Sequence, residues 1–441
     1  MFLPLQIVSL CLAVLTLVGS SYGSCTPQCK LVHGSPASVG LLAKPLHQAV
    51  ANITAYTKPA NYSDASYNEI HPVEPGSANI VGHCSTIVAE WADGKRNLYA
   101  DVNGTLLPPG QQEDATIDTI YDMASLTKLF TTVAALQQID AGTLDLYATV
   151  ASYLPRFAVH AKENITILML LTHTSGFDAD PEPPLYYPVY KTYQQRVNAI
   201  LTQKILNPPG SKFLYSDLNF MTLFLVLEKI TGKKLDELVA AYTEPLGMKS
   251  TFFNRGNLYP PEFPKQSYNR MATQEYQIAV LGPKEPQRPQ PVRGTVHDEN
   301  AYSLNCVSGH AGLFSTVSDT AIFCQMILNN GTYDGRRYLS QEAVDMIFHN
   351  YNKRFQDDSH GLGFELNQYY TAGPMAGKRT ASHTGYTGTT LVIDRPSNTF
   401  FLHFANRVHP SREWSSNNIV REALGYWVAK SLGRDVEFPE S

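Results

Sequence analysis

The stretch YDMASLTKLF, Tyr121 to Phe130, sets Ser125 three residues ahead of Lys128. On a helix, positions i and i+3 share a face, so the serine Oγ and the lysine Nζ can meet. A serine hydroxyl is a weak nucleophile until a base or a nearby charge activates it. A lysine stripped of solvent has a lowered pKa and can accept or relay a proton. The pair therefore reads as a nucleophile with its activator at a helix entry, where backbone amides can also hold an oxyanion. The plain alternative is an N-cap serine beside a solvated lysine.

Two further places carry chemistry. Tyr215, in FLYSDLNF, follows Pro208-Pro209-Gly210 and precedes an apolar run, which puts it on a loop or first helical turn. Near ammonium groups a phenol has a depressed pKa and can shuttle protons; the alternative is one more core tyrosine. His383-Thr384-Gly385, in ASHTGYTGTTLVID, precedes a β-branched strand, and its glycines let a ligand approach the backbone. A glycine-rich turn with a surface histidine is the competing reading there. His297, Asp298, Glu299 and Asn300 read either as a cleft wall or as a capped turn. Arg407 and His409, in NRVHP, follow an expected strand and could reach the cleft rim.

These residues must be positioned by elements far apart in the chain. STIVAEWADG and KRNLYADVNG read as a hairpin turning at Asp93-Gly94. From Ser125 an apolar stripe of Leu126, Leu129, Phe130, Val133 and Leu136 predicts a helix ended by Gly142. Helical runs continue through ITILMLLTH, YQQRVNAILTQ, LNFMTLFLVLEKITG, KLDELVAAYTEPLGM and SDTAIFCQMILNNG. Residues 255–295 are Pro-rich and irregular, a loop length that is usually functional or disordered. Strand patterns resume in GLGFELNQYY, TTLVIDRP and NTFFLHFANR, and NNIVREALGYWVAKSL closes the chain as a helix. Strands at both ends with helices between predict an α/β lobe, residues 79–124 and 360–438. A helical lobe, residues 125–359, is inserted in it, with a cleft where the two meet. Residues 24–78 read as an N-terminal extension with one helix near Val39–Thr57.

Composition narrows the partners. Charged residues make up 17% and the net charge is −5 without a basic run, which argues against nucleic acid. Residues 1–23 read as a secretory signal, with an apolar core and Ser21-Tyr22-Gly23 as the cleavage site. Nothing later is apolar enough to span a bilayer. Secretion permits disulfides; Cys306–Cys324 is one candidate pair, and Cys84 with Cys25 or Cys29 another. Asn52, Asn61, Asn103, Asn164 and Asn330 are N-x-S/T acceptors. No zinc-ligand spacing and no G-x-S-x-G elbow occur, and the chemistry read here calls for no metal or organic cofactor.

Taken in order, Ser-x-x-Lys, Tyr-x-Asn-like and Lys/His-Thr-Gly resemble the serine β-lactamase and penicillin-binding-protein superfamily. The nearest branch is that of class C β-lactamase-like esterases and peptidases. Tyr215 follows Ser125 by 90 residues and His383 follows Tyr215 by 168, spacings similar to that branch. LLTHTSGF, PPGSKFLYSD and AGTLDL also look like it. TVHDENAYSLNCVSGHAGLFST and ANRVHP resemble a bacterial subgroup that includes cell-wall amidase relatives. The resemblance spans roughly residues 80–430. It implies an α/β (α+β) fold of the β-lactamase/transpeptidase type, an antiparallel sheet flanked by helices. Two departures stand out: Asp217 where β-lactamases usually carry Asn, and His383 in place of Lys. Both point away from a dedicated antibiotic-resistance enzyme.

The resemblance implies that Ser125 forms an acyl-enzyme while Lys128 and Tyr215 move its proton. It implies that His383 tunes the tyrosine or binds a substrate carboxylate, and that Ser125 and Tyr386 N–H groups form the oxyanion hole. Asp217, Thr384, Gly385, His297 and Arg407 are the expected substrate contacts. The expected activity is hydrolysis of an ester or amide in a small-molecule or peptide-like substrate, with a D-amino-acid or muropeptide acyl group as one form. Acyl transfer to a small molecule, or a catalytically idle homologue used for binding, are the alternatives.

Overall fold

A computed structural model describes residues 30–62 and 70–439. Residues 1–23, expected as a secretory signal, and Cys25 and Cys29 lie outside the described residues. The main sheet takes its strands from both ends of the chain: β1 (Gly76–His83), β2 (Thr86–Asn97), β3 (Glu365–Leu366), β4 (Thr380–Thr384), β5 (Thr390–Asp394) and β6 (Thr399–Ala405). They lie in the order β2–β1–β6–β5–β4–β3, every neighbouring pair antiparallel. Val32–His33 adds a short parallel strand against β2.

Side chains alternate across a strand, and β6 shows what that does. Phe400, Leu402 and Phe404 join the larger core, while Phe401 joins a second core with Val81 and Val392. The second core is closed by α1 (Ala43–Ala55) and α6 (Asn418–Ser431), which supply Leu46, Ile53, Val420, Leu424 and Val428. The larger core holds α2 (Thr127–Asp140), α3 (Asp217–Thr231), α4 (Leu235–Leu246) and α5 (Val317–Leu328). In α2 every residue from Thr127 to Leu136 is buried. It is therefore a central helix rather than one with a single apolar stripe.

Three expectations need correction. The hairpin does not turn at Asp93-Gly94; β2 runs straight through them, and the turn joining β1 to β2 is Cys84-Ser85, with φ of 50° and 61°. Positive φ at both central residues is what a tight hairpin demands. Gly94 instead uses its φ of 70° inside the strand, where a Cβ would meet Pro75 O at 2.2 Å. Cys306 and Cys324 are free and buried, in separate clusters: Cys324 in the main core, Cys306 beside Val296, Ala301 and Ala311. Finally, GLGFELNQYY supplies only the two residues of β3. Among the described residues no helix is long and apolar enough to cross a membrane.

Candidate active site

Ser125 lies on a turn that two separate segments hold in place. Tyr121–Asp122 pairs antiparallel with Phe314–Ser315, and Met123 N donates to Leu313 O at 2.9 Å. Ala124 takes φ 45°, a region that residues with a Cβ seldom enter. Its N–H is held by Asp122 Oδ1 at 2.9 Å. A 3-10 turn, Ala124–Leu126, then feeds into α2, leaving Ser125 half-buried and Lys128 wholly buried. The H-T-G loop is tied to the same turn: Thr387 Oγ1 donates to Asp122 O at 2.7 Å and Thr389 Oγ1 to Met123 O at 3.1 Å. A Cβ on Gly385 would stand 2.6 Å from Met123 O, so this close approach requires glycine.

Lys128 Nζ donates to Ser125 Oγ at 2.9 Å and to His310 O at 3.3 Å. It also pairs with Asp217 Oδ1 at 2.7 Å and sits 4.8 Å from the centroid of the Tyr215 ring. Lys128 and Ser125 both lower the proton affinity of the Tyr215 hydroxyl. Burial lowers the proton affinity of Lys128, but the Asp217 and Tyr215 oxygens outweigh it and leave the pKa raised. This reverses the expectation of a lysine made basic by desolvation, because Asp217 supplies a counter-ion. Tyr215 also differs from expectation: burial, opposed by Lys128, pushes its phenol up to about 12. The resting site thus holds an ammonium against a hydroxyl and a neutral phenol.

Tyr215 is set by the residues around it. Ser216 N donates to His173 Nδ1 at 3.1 Å, and the His173 ring stacks on Tyr215 with centroids 4.6 Å apart. Ser216 caps α3 in an extended conformation and Asp217 opens its first turn, where a carboxylate suits the helix dipole. Behind Lys128, His310 Nε2 meets Asp298 Oδ1 at 3.0 Å. Burial pushes the Asp298 carboxyl up, but His310 and the Ala301 amide hold it well below the usual range.

His383, at the end of β4, has its ring centroid 5.8 Å from that of Tyr215. Its Nδ1 lies 2.8 Å from Thr384 O. A carbonyl only accepts, so Nδ1 carries the hydrogen and Nε2 keeps a lone pair. Burial, reinforced by Lys128, pushes this imidazole down to about 3. In this resting state the ring offers a substrate carboxylate no positive charge. His360 repeats the arrangement: Nδ1 lies 2.6 Å from Gly361 O, and burial pushes the ring down to about 4. Histidine NMR should find both rings neutral and Nδ1-protonated at pH 5.5; imidazolium signals from either there would contradict the geometry. Each buried neutral ring also contributes stability that is lost as pH falls from its unfolded value near 6.5 towards its folded one.

Ser125, Tyr215 and Tyr386 stand between two cavities. The first, about 360 Å³, is lined by Phe213, His360, Glu365, Tyr370, His383 and Thr384, among others. The second, about 400 Å³, has Asp180, Tyr186, Asp217, His297, Glu299 and Arg412 in its wall. Arg412 is committed to Glu275 and Glu299 at 2.7 and 2.5 Å. His297 Nε2 also meets Glu275, at 2.9 Å. Arg407 lines neither cavity and is not a substrate contact. It is buried behind Tyr386, its Nε donating to Tyr386 O at 2.7 Å and its Cζ lying 4.4 Å from the centroid of that ring. It holds the backbone of the expected oxyanion residue. His409 is likewise internal, accepting the Leu98 and Tyr99 amides.

Sequence reasoning brought Ser125, Lys128, Tyr215 and His383 forward, and the fold places them together. It missed His173, His310, His360, Glu365 and Arg412. The phrase CVSGHAGLFST contains His310, but nothing in its spacing shows that its carbonyl receives Lys128.

Comparison with known proteins decides the family. Residues 73–425 match the family model described as Beta-lactamase. The chain belongs to that family. A Salmonella typhi protein named "Putative D-alanyl-D-alanine carboxypeptidase" is 31% identical over 398 residues, covering 86% of each chain. A family VIII carboxylesterase structure has a TM-score of 0.63 at 18% identity, over 89% of this chain and 99% of that one. An octameric penicillin-binding protein homologue from Pyrococcus abyssi gives 0.62 at 18% identity, over 89% and 78%. Beta-lactamase-family membership makes this chain a serine hydrolase acting on ester or amide bonds, with the sheet-and-helix fold of that family.

Proposed function

We propose that the protein is a secreted hydrolase that cleaves an ester or amide through an acyl-enzyme on Ser125. The observation that carries this is Lys128 Nζ, 2.9 Å from Ser125 Oγ and 4.8 Å from the centroid of the Tyr215 ring. Lys128 stays an ammonium and stabilises the phenolate form of Tyr215. That form takes the serine proton as Oγ attacks the carbonyl, and the phenol then hands it to the leaving group. The Ser125 and Tyr386 amides receive the oxyanion, where losing one donor typically costs about 10²–10³ in rate. Water enters next, gives a proton to Tyr215 as its oxygen attacks the acyl carbon, and Tyr215 returns that proton to Ser125 Oγ as the acid is released.

D-amino-acid esters and amides are the first substrates to try, since the relatives are named for D-alanyl-D-alanine. Secretion is supported by the apolar residues 1–23. Of the five acceptors, Asn61, Asn103 and Asn164 are exposed. Asn52 and Asn330 already use their side-chain oxygens, on Trp427 and Arg395.

Rapid mixing with a p-nitrophenyl ester tests the reading. A burst of p-nitrophenol stoichiometric with enzyme should precede steady turnover, and Ser125→Ala should abolish both with an unchanged melting temperature. Turnover surviving in that variant would remove Ser125 from the mechanism.

A further inference from the structure

The first cavity beside Ser125 has an unusual balance of polar atoms. His360 and His383 are both 1% exposed and both line it. Each spends its Nδ1 hydrogen on a backbone carbonyl, so each has only an acceptor left at Nε2. Neither Nε2 has a hydrogen-bond partner among the described residues. Glu365 adds a carboxyl to the same wall, with Tyr370 Oη 2.6 Å from its Oε2, and Asp358 stands nearby in the lining. Among the described residues no lysine or arginine lines this cavity. The ammonium of Lys128 lies behind Ser125 and is taken by Asp217.

Acceptors left bare inside a protein call for a donor. A free carboxylate placed here would meet two lone pairs and two acidic side chains with no cation to offset them. We propose that this cavity receives a hydrogen-bond-donating group of the substrate, an ammonium, a carboxamide or a hydroxyl, and rejects a free carboxylate, with His360 and Glu365 as the specificity-determining residues. The inference rests on Ser125 being the nucleophile and narrows the substrate of that same site. A carboxypeptidase must seat the free carboxylate of its leaving residue beside the scissile bond, and this cavity is unsuited to it. D-amino-acid amides, amidated peptides and polyol esters fit better. Burial pushes Glu365 up to about 7, which agrees with a wall that resists further negative charge.

Matched ester substrates test this. One series carries a carboxylate, carboxamide, hydroxymethyl or aminomethyl group on the leaving portion; a second carries the same four on the acyl portion. In at least one series kcat/KM for the best donor should exceed that for the carboxylate by tenfold or more. His360→Phe and Glu365→Gln, each checked for a native melt, should narrow that ratio to about threefold or less. The ratio is internal to each variant, so a general loss of activity does not move it. The rank within the favoured series tells whether ammonium, amide or hydroxyl is preferred. Carboxylate substrates turned over as well as the donors in both series, or a ratio unmoved in both variants, would overturn the proposal. Fluorophosphonate labelling of the same preparations separates the two levels of inference. A labelled Ser125 without discrimination overturns the specificity alone, and an unlabelled Ser125 overturns both.

Discussion

Lys128→Met should lower kcat/KM by about 10⁴ or more, the scale seen when one member of a catalytic unit is removed. The reason is geometric. Lys128 Nζ is the group that touches Ser125 Oγ, neighbours the Tyr215 ring and pairs with Asp217 at once. Without it the Tyr215 phenol, already pushed up to about 12 by burial, loses the largest influence that pulls it down. The phenolate that should take the serine proton then becomes rarer still. The variant should also be less stable, by about 3–5 kcal/mol, because removing one partner of a buried ion pair strands the other. Steady-state kinetics and denaturant melts on the same preparation measure both effects. A variant retaining a tenth of the activity would mean that the ammonium is not part of the chemistry.

Asp217→Asn should move the acid limb of kcat/KM to lower pH by about 1–3 units, the range for a charge removed at contact distance. The sign follows from the two groups that face it. The Asp217 charge raises the pKa of Lys128 and also that of Tyr215. Taking the charge away lowers both, so the deprotonated form of the pair is populated at lower pH. The melting temperature should fall, since Lys128 then lacks its counter-ion. A pH–rate profile from 5 to 10 reads the shift. Complete loss of activity with no displacement of the limb would instead make Asp217 the base. The variant also restores the residue that β-lactamases usually carry here, so it asks what the departure contributes.

The main elements were legible because hydrophobic period and turn chemistry are local. α3 ends at Gly232 with φ 70°, where the pattern stops, and β6 lies within the apolar run NTFFLHFANR. Ser125, Lys128, Tyr215 and His383 were legible as a set because the order and spacing of three short motifs carry them. What stayed hidden was set by tertiary contact. The sign of the Lys128 shift depends on Asp217 lying 2.7 Å from the ammonium across two helices, and that of the Tyr215 shift on burial. No spacing shows that Arg407 turns inward to hold Tyr386 rather than outward to substrate. The Asp93-Gly94 turn failed for a related reason: a glycine with positive φ serves a strand irregularity as well as a turn.

Mass spectrometry of the chain after fluorophosphonate treatment tests the central claim most directly. One phosphonyl adduct should map to the peptide containing Ser125, disappear in Ser125→Ala and form far more slowly in Lys128→Met. An adduct on another residue, or labelling that survives in Ser125→Ala, would contradict the assignment of this serine as the nucleophile.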